Sequence, residues 1–291
     1  MGPRPFRYER ATSVADVIDC LRRGGANARV LAGGQSLVPL MNLRLVEPEL
    51  LVDINDLPLA HLRRENDAMV LGALVRHQTL EESEEVRALC PLLSEAAGLV
   101  GNVRVRALGT LGGSLAHADP AAELPMVSLA LDAQLVTEGP TGSRTLRSEE
   151  FFRGYLTTAL EPAELLTEVR VAVRQPREGW AVEEFALRQG DFAVVAAAAR
   201  VQLNDEGRVD VVRLALAGVG PTPVRAQGAE DQLVGAPANP RRVEAASRRA
   251  AADIQPESDV HASAAYRRHL TYVLARRALT RALARAEEAT P

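Results

Sequence analysis

The sequence predicts an α+β protein of three units, and three observations predict it. Over residues 1–57 a stretch with helical spacing is followed by two short apolar runs, a unit of β-α-β flavour with short connections. Over residues 58–176 further apolar strands alternate with helix-patterned segments and a second glycine-rich turn. At Gln175-Pro176-Arg177-Glu178-Gly179 a proline and a glycine bracket charged residues, which reads as a linker, and residues 177–291 carry a hairpin signal followed by two helices.

The elements follow in order. Val14, Val17, Ile18 and Leu21 share a helix face, with Ser13 as N-cap and Gly24-Gly25 as the stop. Ala28 to Ala32 is a strand that runs into a glycine turn, and Leu50 to Ile54 is a second buried strand. Met69 to Ala73 is a strand; Thr79 to Leu89 is one helix with an acidic first turn, and Pro91 to Val100 another. Residues 105–125, VRALGTLGGSLAHADPAAELP, read as a long glycine-bearing connection, and Pro125 to Leu131 as an apolar segment. Leu135-Val136 and Leu165 to Val173 belong to a second sheet. Ala193 to Leu203 and Val209 to Val219 pair around the turn residues Asn204 to Gly207. Helices are expected over Pro240 to Asp253 and from Ser263 to about Arg285, the last with Tyr266, Leu270, Val273 and Leu274 on one stripe. Leu279 and Leu283 drift off that stripe, toward either the core or a partner.

Composition narrows the function. The chain has 291 residues, 47% hydrophobic and 25% charged, as in a globular protein. Aromatics make up only 3%, so the core is expected to be Leu, Val and Ala. A net charge of −4 argues against nucleic acid or an anionic membrane as partner. Every basic side chain other than histidine is arginine, which excludes a Walker-type lysine and a lysine Schiff base. Cys20 and Cys90 stand alone, so iron–sulfur and zinc-ribbon ligation on this chain are not expected, nor any other metal site. The start, MGPRPFRYER, has no apolar segment behind it, and the run Phe192 to Ala199 is too short for a bilayer; a cytoplasmic protein without a transmembrane segment is expected.

Two loops carry the chemistry. In Ala32-Gly33-Gly34-Gln35-Ser36-Leu37 the glycine pair lets a ligand touch the main chain, successive N–H groups form an anion-attracting nest, and Gln35 and Ser36 add donors. A plain strand-to-helix turn is the competing reading. Gly109-Thr110-Leu111-Gly112-Gly113-Ser114 repeats the same chemistry. Neither loop matches GxGxxG, so a Rossmann fold is not supported; two donor-rich loops would instead clamp a diphosphate from two sides. Arg104 and Arg106 flank the second loop and would neutralise phosphate. No Ser/His/Asp, Cys/His or paired-carboxylate set stands out, so no catalytic residue is assigned.

AGGQS and GTLGGSLAHADPAAELP at this separation resemble the FAD-binding medium subunit of molybdenum hydroxylases, the group of aerobic carbon monoxide dehydrogenase and xanthine dehydrogenase. PFRYERATSVADVI, LMNLRLVEP, LGALVRHQTLEES, GNVRVRALGT, ELLTEVRV, FALRQGDFAVV and YRRHLTYVLARRAL follow in the family's order, over essentially the whole chain. The resemblance implies a vanillyl-oxidase-like (PCMH-type) FAD-binding fold of two α/β subdomains, over 1–57 and 58–176. It also implies a C-terminal CO-dehydrogenase-flavoprotein-like domain, over 177–291, with a three-stranded antiparallel sheet and helices.

Residue by residue, the resemblance implies that Ala32, Gly33, Gly34, Gln35, Ser36 and Leu37 line the FAD diphosphate. Thr110, Gly113, Ser114 and His117 would form the second flavin loop, and Glu123 would hold a polar part of the cofactor. Leu165 would lie near the flavin, and Asp191-Phe192 against the isoalloxazine ring. By themselves, His117 could be a solvated loop residue but its place in the glycine loop favours a cofactor contact, Glu123 reads as a solvated helix-start carboxylate, and for Phe192 core packing competes with flavin contact. Two departures stand out: the lysine of xanthine-oxidising relatives is replaced, with Glu183 at about that position, and Ala107 stands where many relatives have Asn.

The implied function is that of the FAD subunit of a heterotrimeric molybdenum hydroxylase. A large subunit would hold molybdopterin, and a small one two [2Fe–2S] clusters whose electrons pass through FAD to an external acceptor. A dimer of heterotrimers, cytoplasmic and in contact with the inner face of the membrane through the complex, is expected. A self-sufficient FAD oxidase of the same fold superfamily and a cofactor-free assembly protein are the alternatives.

Overall fold

The computed structural model describes residues 2–289. Its first sheet is parallel throughout: Arg7–Arg10 and Ala28–Leu31 flank Leu50–Asp53, whose four residues are all buried. The helix Val14–Gly24 begins at Ser13, whose hydroxyl accepts from the Asp16 N–H, and buries Val17, Cys20 and Leu21 against this sheet. Arg7–Arg10 carries no apolar signal; it earns its place by main-chain pairing with Leu50–Asp53 across more than forty residues.

The second sheet is antiparallel, in the order Leu62–Glu65, Ala68–Gly72, Leu165–Ala172, Gln134–Gly139, Gly142–Arg147. Against it pack short helices, and here two expectations fail. Residues 79–89 are not one helix: His77–Glu82 and Glu84–Leu89 are separated by Ser83, which is extended and whose hydroxyl caps the second piece at the Val86 N–H. The glycine-bearing stretch is mostly helix rather than connection: Val103–Leu108, Leu111–His117 and Glu123–Ala130. Glycines 112 and 113 are poor helix formers, but Thr110 caps the turn and Leu111 and Leu115 are fully buried, so packing overrides propensity.

The third sheet has three long antiparallel strands, Glu178–Phe185, Val195–Leu203 and Val209–Ala217, plus the two-residue Val224–Arg225. Every residue of Val195–Leu203 except Gln202 is buried, because the strand is covered on both faces. Ala196 and Ala198 join the core of the middle unit under Glu123–Ala130, while Val195, Ala197 and Ala199 pack under the terminal helix Ala264–Glu288. Alanines let both layers approach closely, which explains how a core with so few aromatics closes.

The stretch at 175–179 is less open than a linker. Gly179 already lies in a strand, and a Cβ there would come within 1.9 Å of the Ala282 carbonyl oxygen of the terminal helix. On that helix the buried stripe runs through Leu270, Leu274, Ala278, Leu279, Ala282 and Leu283, so Leu279 and Leu283 are core. Tyr266 is 42% exposed and sits edge-on to Phe185 instead. Both helices predicted beyond residue 239 are present, as Pro240–Asp253 and Ala264–Glu288. Among the described residues no helix is long and apolar enough to cross a membrane.

Candidate functional site

The two glycine loops touch. A Cβ on Gly33 would lie 2.1 Å from the Leu108 carbonyl oxygen and 2.8 Å from the Gly109 Cα, so only glycine permits the approach. Ala32 and Gly113 face each other across the same contact, a Cβ on Gly113 falling 4.0 Å from that of Ala32. Gly34 has φ +70°, the left-handed conformation that turns the chain out of the strand. Its own carbonyl then accepts from the Val38 N–H, and the Gln35 amide folds back onto the Gly33 carbonyl at 2.8 Å. Among the described residues, the main-chain N–H groups of Gly33, Gly34, Gln35 and Ser36 find no acceptor in the chain. All four residues are half-buried. Four consecutive unspent donors at a glycine turn are what an anion nest requires.

The second loop is organised differently. Leu111 and Gly112 give their N–H groups to the carbonyls of Val75 and Ala73, and the Gly113 N–H goes to the Thr110 hydroxyl at 3.0 Å. Thr110 is buried, and a Cβ on Gly112 would strike that of Ala73 at 2.5 Å. These glycines press the loop onto the second sheet. Gly113, Ser114 and His117 remain half-buried, and His117 ends the helix Leu111–His117.

The helix Val103–Leu108 ties in the third region. Its C-terminal end delivers the Leu108 carbonyl to Gly33; at its other end Gly101 meets Gly190, where a Cβ would be 3.1 Å from the Gly101 oxygen. The loop that carries Asp191 and Phe192 thus meets the N-terminal approach of this helix, and the Gly33 turn meets its C-terminal end. Phe192 is 56% exposed and lies ahead of the strand, which starts at Val195; it is not core. Asp191 is exposed too. Leu165, by contrast, is buried in the small cluster beneath the first sheet, with Leu74 and Ala163.

Glu123 is not a solvated carboxylate. It is buried at the first turn of Glu123–Ala130, and burial, helped by the charges of Glu184 and Asp119, pushes its carboxyl up to about 7. Burial likewise pushes Glu184, on the first strand of the third sheet, to about 7, and its Oε2 is buried without a partner. Asp119, half-buried, accepts the Ala121 N–H at 2.9 Å. Of the two arginines near the second loop, Arg106 is spent on Glu81 at 2.7 Å, while Arg104 is exposed. Glu183 pairs with Arg281.

Sequence reasoning missed the residues behind the loops. Asn55 reaches the Ala32 carbonyl at 2.9 Å, Arg76 donates to both Asn55 (2.8 Å) and the Leu108 carbonyl (3.0 Å), and Tyr8 donates to Asp53. His77 is buried against Gly109 with neither ring nitrogen hydrogen-bonded, and burial lowers its pKa. The signals were present: an Asp-Ile-Asn-Asp end to a buried strand, and Arg-His directly after an apolar one. A cleft of about 500 Å³ beside Val243, Glu244 and Arg276 lies between the two C-terminal helices, away from the loops, and its Arg281 and Glu183 already neutralise each other.

Residues 4–173 match the family described as FAD binding domain in molybdopterin dehydrogenase, and residues 180–282 match CO dehydrogenase flavoprotein C-terminal domain. The chain is 40% identical to the 6-hydroxypseudooxynicotine dehydrogenase complex subunit alpha of Paenarthrobacter nicotinovorans, over 98% of this chain and 97% of that one. Its structure superposes with a TM-score of 0.96 on a chain of the carbon monoxide dehydrogenase of Hydrogenophaga pseudoflava, in a form lacking the Mo-pyranopterin moiety of the molybdenum cofactor. That match is 39% identical and covers 98% of this chain and 99% of that one. A chain of the quinoline 2-oxidoreductase of Pseudomonas putida 86 superposes with a TM-score of 0.92 at 34% identity, covering both chains completely. The free-amide turn at Gly33, the loops that meet across it and these matches along the whole chain lead to one conclusion: the chain belongs to the family of FAD-binding subunits of molybdopterin dehydrogenases.

Proposed function

We propose that this chain is the FAD subunit of a heterotrimeric molybdenum hydroxylase, and the observation that carries the proposal is the row of unspent N–H groups from Gly33 to Ser36. The residues present fit the cofactor. Ala32 to Leu37 hold its diphosphate through main-chain donors, and Gly113, Ser114 and His117 close the other side, with Thr110 holding Gly113 in place. The exposed Phe192 and Asp191, one short helix away, receive the isoalloxazine end, and Glu123 takes a polar group of the cofactor while Leu165 packs from beneath. FAD bound there supplies the exchange between single-electron donors and a two-electron acceptor. The chain's own residues bind and orient it; none transfers a proton to substrate.

A large molybdopterin subunit and a small subunit with [2Fe–2S] clusters complete the enzyme, as a dimer of heterotrimers in the cytoplasm that contacts the inner membrane face through the complex. The relatives' names specify an oxynicotine, carbon monoxide and quinoline, while the chains superpose; substrate choice therefore resides in another subunit. The division into units at 57/58 and 176/177 goes with this reading, each sheet falling within one unit. A self-sufficient oxidase is disfavoured because relatives matched along nearly the whole chain are named as a complex subunit and a medium chain.

The test is a visible spectrum and a turnover assay on the purified full chain and on its complex. Flavin absorbance with substrate oxidation only in the complex supports the proposal. Substrate turnover by the chain alone, or a wild-type chain that takes up no FAD, contradicts it.

A further inference from the structure

We propose that Arg76 is a positioning residue for FAD, a strap that sets the gap between the two glycine loops; this rests on the FAD reading above and deepens it. Arg76 stands between them with one nitrogen on each side. Nη1 donates to the Leu108 carbonyl at 3.0 Å, and that oxygen is the atom on which Gly33 closes. Nη2 donates to Asn55 Oδ1 at 2.8 Å, and the Asn55 amide nitrogen donates to the Ala32 carbonyl at 2.9 Å. The bonds form a ring: Ala32 to Asn55, Asn55 to Arg76, Arg76 to Leu108, and Leu108 back across the close contact to Gly33. Each loop is thus held by a carbonyl, which leaves the N–H groups of Gly33 to Ser36 unspent on the opposite edge.

The ring is anchored from behind. Asn55 also gives its main-chain N–H (2.9 Å) and side-chain amide (2.6 Å) to Asp53 Oδ1, and Tyr8 donates to the other carboxylate oxygen. Burial opposes ionisation of Asp53, but the bonds from Tyr8 and Asn55 outweigh it and keep the carboxyl below its ordinary value. Burial also lowers the pKa of Arg76, with the Asp53 charge opposing. A half-buried guanidinium is costly unless its donors are used, and two of them are used to join segments of different units. Only a planar fork with donors on separate nitrogens spans both acceptors; an ammonium has the charge but not the reach.

The experiment is isothermal titration of FAD into the full chain, with circular dichroism of each apo variant to report folding. R76Q, which removes both charge-assisted bonds, and N55A, which removes one of them, are each expected to weaken FAD roughly 10- to 100-fold. The double variant is expected to be no weaker than the worse single one, since both cut the same ring. R76K is expected to stay weakened. If R76Q does not fold, N55A and R76K carry the test. Unchanged affinity in folded R76Q or N55A overturns the strap. Full recovery in R76K also overturns it, because charge alone would then suffice. A wild-type chain that binds no FAD contradicts the FAD reading itself, whereas wild-type binding with unaltered variants removes only the strap.

Discussion

The two glycine loops have nearly the same composition and opposite physics. The first, Ala32 to Leu37, leaves its main-chain donors unspent and is held through its carbonyls by Asn55 and by the Gln35 side chain. The second, Gly109 to Ser114, spends its donors on Val75, Ala73 and its own Thr110. The first loop keeps four donors that a ligand could take, while the second is pressed onto the second sheet and meets the first at Gly33. Glycine pairs in a sequence therefore do not by themselves say which role a turn has. The destination of their N–H groups does.

That contrast breaks at defined points. Gly33→Ala places a Cβ against the Leu108 carbonyl, so the loops must part; FAD affinity is expected to fall at least ~100-fold, with a stability loss of roughly 1–3 kcal/mol from overpacking. Flavin titration and thermal melts check both, and normal affinity would mean that the close approach is dispensable. Gly112→Ala meets the Ala73 Cβ and is expected to cost a similar ~1–3 kcal/mol in stability, with FAD affinity falling only as far as the fold loosens. A G112A chain of native stability that no longer binds flavin would reverse the roles of the loops.

A pH experiment sharpens the same picture from behind the second loop. Glu123 has its carboxyl raised from 4.5 to about 7 by burial, so the folded chain holds that proton more tightly than the unfolded one. The stability this contributes is complete below about 4.5, declines as pH rises toward 7, and is flat above. Each pKa unit is about 1.4 kcal/mol, so E123Q is expected to gain on wild type by on the order of 1–3 kcal/mol between acid and mildly alkaline pH. Denaturant melts of the apo chain across that range read it; parallel curves would mean that Glu123 is ionised and solvated. The smallest effects come from the hydroxyls. Thr110→Val removes the cap on Gly113 and is expected to cost ~1 kcal/mol of stability. Ser36→Ala removes no cap, since Ser36 makes no side-chain capping bond, and is expected to leave stability within ~0.5 kcal/mol while weakening FAD.

Much of the fold was legible because its signals are local. Ser13 and the Gly24-Gly25 stop mark one helix, Asn204 to Gly207 mark the hairpin, and Pro240 opens its helix where expected. What was not legible is non-local. Arg7–Arg10 is a strand only because Leu50–Asp53 offers it an edge. The terminal helix buries Leu279 and Leu283 because strands Glu178–Phe185 and Val195–Leu203 pack against it, which a single stripe does not reveal. The site divides in the same way. The glycines stood out in the sequence, but Asn55 and Arg76 sit 21 residues apart and meet only in three dimensions, so composition alone gave them no role.

Competition binding tests the central claim most directly. If unspent amides at Gly33 to Ser36 hold a diphosphate, ADP will displace FAD from the full chain far better than riboflavin does. If riboflavin competes and ADP does not, the cofactor is held by its ring rather than by the loops, and the account is wrong.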